Sequence, residues 1–218
     1  MNQSKDLWLA HIKNIDSYAN FNSLTQKDLT AWFEPLIDSI TEYGAVPYLL
    51  GTNERYRASP LSSTITWLAS ENLIPIQVLD KMQDELLYLR DYNIKNDPHT
   101  PNDKKRDGDT NGWSMGEGVS VWSTSMAIIA LLDSYGNGKK KAQKFKASVL
   151  WLANQHDSVT HGWAYQLSEN CTANVVMTSL ALRALALAIE PCNKWEFGYT
   201  PDELHQICSV IKTGFDYL

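Results

Sequence analysis

The apolar positions of this chain sort into two kinds of helix that alternate along the sequence. Ser120 to Leu132 and Thr172 to Ile189 are apolar almost all round, the pattern of a helix buried on every side. Pro75–Tyr92, Lys139–Gln155 and Pro201–Leu218 carry apolar residues at helical spacing with charged residues between them. In the first of these, Val78, Leu79, Met82, Leu86 and Leu89 share a face; in the last, Leu204, Ile207, Val210 and Ile211 do. Buried and one-sided helices in alternation are what an inner ring wrapped by an outer ring requires.

Punctuation along the chain agrees. Ser59-Pro60 places a capping hydroxyl before a proline at the first helical position, ahead of Ile65 and Leu68, and Pro75 opens the next helix. Thr200-Pro201-Asp202-Glu203 is a capping box. Leu7 to Tyr18 and Leu29 to Tyr43 also fit helices, the second divided or kinked at Pro35. No segment alternates in the manner of a strand, so the expected class is all-α. The stretch Asn93 to Asn111 is polar and proline-punctuated and reads as one long exposed loop.

Two stretches nearly repeat one another. Gly112-Trp113 is followed by Glu117 and then by the Ser120 helix; Gly162-Trp163 is followed by Glu169 and then by the Thr172 helix. Their spacing of about 50 residues suits a two-helix repeat. The preceding outer helices also match in type, with Leu86-Leu-Tyr88-Leu set against Val149-Leu-Trp151-Leu-Ala-Asn-Gln155. Tyr43-Gly-Ala-Val-Pro-Tyr48, then Glu54 and Ser59-Pro60, reads as a third, weaker copy, and Phe215-Asp-Tyr217-Leu218 matches Leu150-Trp-Leu152 in type.

An aromatic, a Gln four residues later and then Gly-Trp resembles the Gln-Trp repeat of squalene–hopene and other triterpene cyclases, whose α/α toroid is shared with protein prenyltransferase β-subunits. The resemblance covers roughly Tyr43 to Leu218 and implies one helical-repeat domain over 1–218: N-terminal helices in 1–43, then Gly-Trp hairpins in 44–218 with the loop at 93–111. A closed six-hairpin ring at this period needs about 300 residues, so the expectation is an open, incomplete (α/α)6 array of some four hairpins. In it the aromatic packs between hairpins, the Gln bonds a helix end and the Trp staples the turn.

Composition narrows the function classes. A net charge of −6 argues against nucleic acid as a default partner. The basic run Lys139-Lys140-Lys141, with Lys144 and Lys146, reads as a solvated outer face at the start of a helix. The first residues show no basic leader with an apolar core, and the longest apolar run, Leu180 to Ile189, contains Arg183 and is too short to cross a bilayer. Cys171, Cys192 and Cys208 form no short metal-binding pair, which suits a reduced, cytoplasmic setting.

The chemistry that the resemblance implies is largely missing. Class II terpene cyclases carry Asp-x-Asp-Asp near an inner-helix start; the corresponding residues here are Ser120-Val-Trp-Ser-Thr-Ser and Thr172-Ala-Asn-Val-Val-Met, without an Asp. Asp107-Gly-Asp109-Thr110 precedes Gly112-Trp113 and reads as turn chemistry. The prenyltransferase zinc site gathers Asp, Cys and His from separate inner helices. Here Cys171, Cys208, His156, His161 and His205 are the available donors, and they form no matching motif. Cys171 reads as a small buried hydrophobe, so no metal and no cofactor is expected.

Two candidate sites remain. Glu54, Glu117 and Glu169 each precede an inner helix, where three carboxylates at one mouth raise one another's pKa and supply a general acid, or each simply favours a positive helix end. Trp67, Trp122, Trp113 and Trp163 lie in or beside inner helices, where they line an aromatic surface for an isoprenoid or other apolar ligand, or staple the turns. Two functions follow. The first is a non-catalytic module binding a ligand, a protein or further repeats; the alternative is an isoprenoid cyclase or transferase using the glutamate cluster.

Overall fold

The computed structural model describes residues 58–71, 73–96, 111–113, 119–165 and 171–218, with isolated positions at 6, 10, 36–38, 40 and 46. Among the described residues from 58 on, seven helices follow in order: α1 Ala58–Ser70, α2 Ile76–Asn96, α3 Val121–Leu132, α4 Ala142–Asn154, α5 Val175–Ile189, α6 Pro191–Phe197 and α7 Pro201–Tyr217. A 3-10 turn, Lys139–Lys141, leads into α4. The described residues contain no β-strand, and the fold is all-α.

α3 packs between α1 and α5, forming the inner row, while α2, α4 and α7 lie outside it. α4 touches α3, α5, α6 and α7, so each outer helix bridges neighbouring hairpins. One continuous core joins Ile37 and Ile40 through α1 to Ile207 of α7. In α3, Ala127 to Leu132 are each buried, and burial of one Leu or Ile side chain stabilises by about 1.5–3 kcal/mol.

Helix ends differ from the sequence reading in instructive ways. The N-cap of α5 is Asn174, whose side chain accepts from Met177 N–H at 3.0 Å; Thr172 stands outside the helix. α2 continues through residues 93–96, which the sequence assigned to the loop. Pro60 sits within the first turn of α1, because the helix already begins at Ala58. α6 was not expected at all, although Pro191 at its start and Gly198 just past its end, at φ 57°, are the usual start and stop residues. The Thr200–Glu203 capping box forms as expected, with Thr200 N–H donating to Glu203 at 2.7 Å.

α5 corrects a second expectation. Its sequence is apolar nearly all round, yet Val175, Val176, Ser179, Arg183 and Ala186 are exposed. Burial is near-complete for α3, which has an inner neighbour on both flanks and leaves Trp122 and Met126 partly exposed, and fails for α5 among the described residues. Arg183 instead makes an ion pair with Asp133 at the end of α3.

Candidate functional site

The Gly-Trp turns are built twice to the same plan. Trp113 N–H donates to Thr124 Oγ1 at 2.9 Å, its indole N–H to Leu86 O at 2.7 Å, and its carbonyl accepts from Ser120 N–H at 3.1 Å. Trp163 N–H donates to Thr178 Oγ1 at 3.0 Å, its indole N–H to Leu152 O at 2.8 Å, and its carbonyl accepts from Asn174 N–H at 3.1 Å. Each tryptophan therefore ties an outer helix, at its middle for Leu86 and in its last turn for Leu152, to the first turn of the next inner helix. Both indoles are fully buried, and a buried polar group must find a partner or cost about 1–3 kcal/mol.

The glycines explain the dipeptide. A Cβ on Gly112 would lie 2.4 Å from Val119 Cγ1 and 2.5 Å from Thr124 Oγ1; one on Gly162 would lie 2.8 Å from Ala173 Cβ and 3.0 Å from Thr178 Oγ1. Each glycine also faces an aromatic ring on the outer helix that follows: Trp151 at 3.2 Å from the first and Tyr217 at 3.0 Å from the second. The sequence match of Tyr217 to Trp151 thus has a spatial basis. Gln155 Nε2 donates to Trp151 O at 3.2 Å at the helix end.

The match of Tyr88 to Trp151 does not survive. The indole acceptors Leu86 and Leu152 set the register of the outer helices, and in that register Trp151 corresponds to Glu85, while Tyr88 is exposed. Partial burial raises the Glu85 carboxyl above its ordinary pKa, with Lys81 working against the shift. Arg90 lies over the Trp113 ring at 5.7 Å, and at the corresponding place His156 meets Trp163 edge-on at 4.9 Å. Sequence reasoning missed Thr124 and Thr178. Their signal was a hydroxyl four residues after each helix cap.

The inner-helix starts, where a cyclase acid is expected, hold hydroxyls given over to structure. Ser120 Oγ caps α3 by accepting from Ser123 N–H at 3.1 Å, and Thr124 receives Trp113. Ser123 and Ser125 are buried, and their hydroxyls have no partner among the described residues. Glu54, Glu117 and Glu169 lie outside the described residues, as do the weaker repeat copy at 43–57, apart from Val46, and the loop positions 97–110.

The remaining tryptophans differ from the staples. Trp67 on α1 is 46% exposed and Trp122 on α3 is half-buried against the core. Met126, Val176 and Leu180 are likewise incompletely buried on inner helices. Cys171 is exposed rather than buried, and Cys208 is exposed as well. His156 and His161 stack at 5.7 Å, with His156 Nε2 sharing a hydrogen bond with Thr213 Oγ1 at 3.1 Å. Among the described residues no three or more His, Cys, Asp or Glu side chains gather as a metal site, and no helix is long and apolar enough to cross a membrane. Two of the five lysines of the basic run are paired, Lys141 with Asp84 at 2.8 Å and Lys146 with Glu203 at 2.7 Å, while Lys140 and Lys144 are exposed.

No protein-family model, no curated protein and no solved structure matches this chain.

Proposed function

We propose that the chain is a non-catalytic binding module, an open toroid-like array whose inner helices offer an apolar, aromatic surface to a ligand of isoprenoid character. The observation that carries this reading is the division of labour among the tryptophans. Trp113 and Trp163 are spent on the turns, whereas Trp67 and Trp122 keep part of their rings accessible on inner helices. Apolar rings that keep contact with water on an ordered scaffold offer binding area, because the scaffold has already met their ordering cost. The hydroxyls of Ser120, Thr124 and Thr178 support binding over catalysis, since they cap a helix and hold turns.

The test is titration of the purified chain with farnesyl diphosphate and with squalene, read by tryptophan emission. Saturable quenching that Trp67→Ala and Trp122→Ala weaken, with the fold retained by circular dichroism, supports the module. Turnover of either compound, lost in Glu117→Gln or Glu169→Gln, would replace it with the isoprenoid-enzyme reading. Absence of both binding and turnover would remove the isoprenoid ligand altogether.

A further inference from the structure

The two repeats join consecutive outer helices at the same place with different chemistry. In the register set by Leu86 and Leu152, Arg90 corresponds to His156. Each lies against its turn tryptophan, and each reaches the next outer helix. Arg90 donates to the Lys144 carbonyl of α4 and, at 3.5 Å, to Ser148 Oγ. His156 Nε2 shares a hydrogen bond with Thr213 Oγ1 of α7 at 3.1 Å, and that hydroxyl lies 3.3 Å from the Val210 carbonyl. With Trp151 set against Tyr217, Val210 is the counterpart of Lys144. A guanidinium stays charged throughout the physiological range, whereas an imidazole gains or loses its charge near neutrality. The α2–α4 joint is therefore built on a permanent cation, and the α4–α7 joint on a titratable ring.

The surroundings of His156 suit its neutral form. The ring is half-buried 4.9 Å from Trp163, and a second imidazole, His161, stacks on it at 5.7 Å. Burial first, and then His161, disfavour the charged form, while Asp157 and the His161 main chain act the other way. α7 meets α4 through Glu203, Gln206 and Thr213. Glu203 is paired with Lys146 and Gln206 with Asn154, so the group opposite the imidazole is a neutral hydroxyl. Lys212 and Asp216, on either side of Thr213, are exposed, and Arg183, the charged residue of α5, pairs with Asp133.

Protonation reverses the bond to Thr213, whose hydroxyl then turns to the Ser209 carbonyl at 3.2 Å. It also places a positive charge on a half-buried ring, and two protonated rings in that stack repel one another. The loop gives way easily, because Asp157 to His161 are exposed and opening releases the left-handed strain of His161 at φ 62°.

We propose that His156 and His161 form an acid-released latch. While His156 is neutral, residues 156–162 and α7 are held against the Trp163 turn; when the stacked rings are protonated the loop opens and α7 loosens, with the Arg90 joint unchanged. The latch is independent of the isoprenoid reading, because none of its groups lies on an inner helix.

Hydrogen exchange of the full 218-residue protein, read by mass spectrometry and corrected for intrinsic rates, tests it. Between about pH 7.5 and about pH 5.5, protection of 156–162 and 206–217 should fall at least about tenfold more than that of 76–90. His156→Gln keeps a partner for Thr213 but cannot gain a charge, and should hold the same protection at both pH values. His161→Asn suits the left-handed backbone and should lessen the acid effect. Thr213→Val should loosen 206–217 already at the higher pH. An acid loss that persists in His156→Gln overturns the proposal, as does a loss spread evenly over α2 and α7. If His156→Gln does not fold, the other two variants decide: an undiminished acid effect in His161→Asn, with α7 protection unchanged in Thr213→Val, overturns it as well.

Discussion

The Trp163 indole N–H meets the Leu152 carbonyl at 2.8 Å, at the last turn of an outer helix, while its main-chain N–H meets Thr178 on the following inner helix. One residue thus joins two layers of the fold through two hydrogen bonds. Trp113 does the same with Leu86 and Thr124.

Removing the indole donor should therefore cost similar amounts at both turns. Trp163→Phe and Trp113→Phe keep most of the ring volume but remove one hydrogen bond from a carbonyl that keeps a main-chain partner, Gln155 N–H in the case of Leu152, a loss of about 0.5–1.5 kcal/mol each. Trp→Ala at either site adds a cavity and should cost about 3–5 kcal/mol. Urea denaturation of the four variants measures this; a Trp→Phe cost near zero would mean that the indole bond contributes nothing.

The hydroxyl acceptors make a sharper comparison. Thr124→Val and Thr178→Val are nearly isosteric but leave a turn N–H without its partner, for about 1–2 kcal/mol each. Thr→Ser at the same positions keeps the oxygen and should recover most of that loss. Equal stability of the Val and Ser variants would deny the hydroxyls this role.

Gly112 and Gly162 should tolerate a methyl group unequally. The Gly112 Cβ would enter within 2.4 Å of Val119, against 2.8 Å from Ala173 at Gly162. Gly112→Ala is expected to destabilise by about 1–3 kcal/mol through overpacking, and Gly162→Ala by less. The order of the two melting temperatures checks it.

His161 occupies left-handed backbone at φ 62°, in a tight loop where Asp157 Oδ1 accepts from Val159 and Thr160 N–H. A non-glycine residue there is strained by about 1–2 kcal/mol, part of which the greater freedom of unfolded glycine offsets. His161→Gly should raise stability by about 0.5–1 kcal/mol. A lower melting temperature would show that the stack on His156 outweighs the strain.

The pH dependence of stability should carry the mark of His156. Burial first, and then the neighbouring His161, lower its pKa, with Asp157 opposing them. The folded state therefore resists protonation more than the unfolded state does. Its full contribution is present above the ordinary histidine range near 6.5 and is lost as pH falls through the lowered folded value. Melting temperature should drop between about pH 7 and pH 5, and His156→Gln should flatten that drop. An unchanged profile in the variant would place the titrating group elsewhere.

Much of the fold was legible because its causes are local. The Thr200 capping box, the apolar stripe of Leu79, Met82 and Leu86, and the two Gly-Trp turns each depend on residues close in sequence. The candidate site was less legible. Their place in the Gly-Trp turns already marked Trp113 and Trp163 as staples, but the sequence left Trp122 open between core and ligand, because a tryptophan's role depends on what stands within reach of its ring. The equivalence of Tyr88 with Trp151 failed for the same reason: residue type suggested one register, and the indole hydrogen bonds fixed another.

The sequence by itself determined that the chain is helical, where most helices start and stop, and that two turns are copies of one device. Those are matters of period, caps and repetition, which act over a few residues. Only the tertiary structure decided that Thr124 and Thr178 receive the turns, that Glu85 stands where an aromatic was expected, and that α5 is buried on one side only. Hydrophobic period reports how much of a helix suits burial. Whether a neighbour covers Val175, as one covers Val121, is a question of long-range packing.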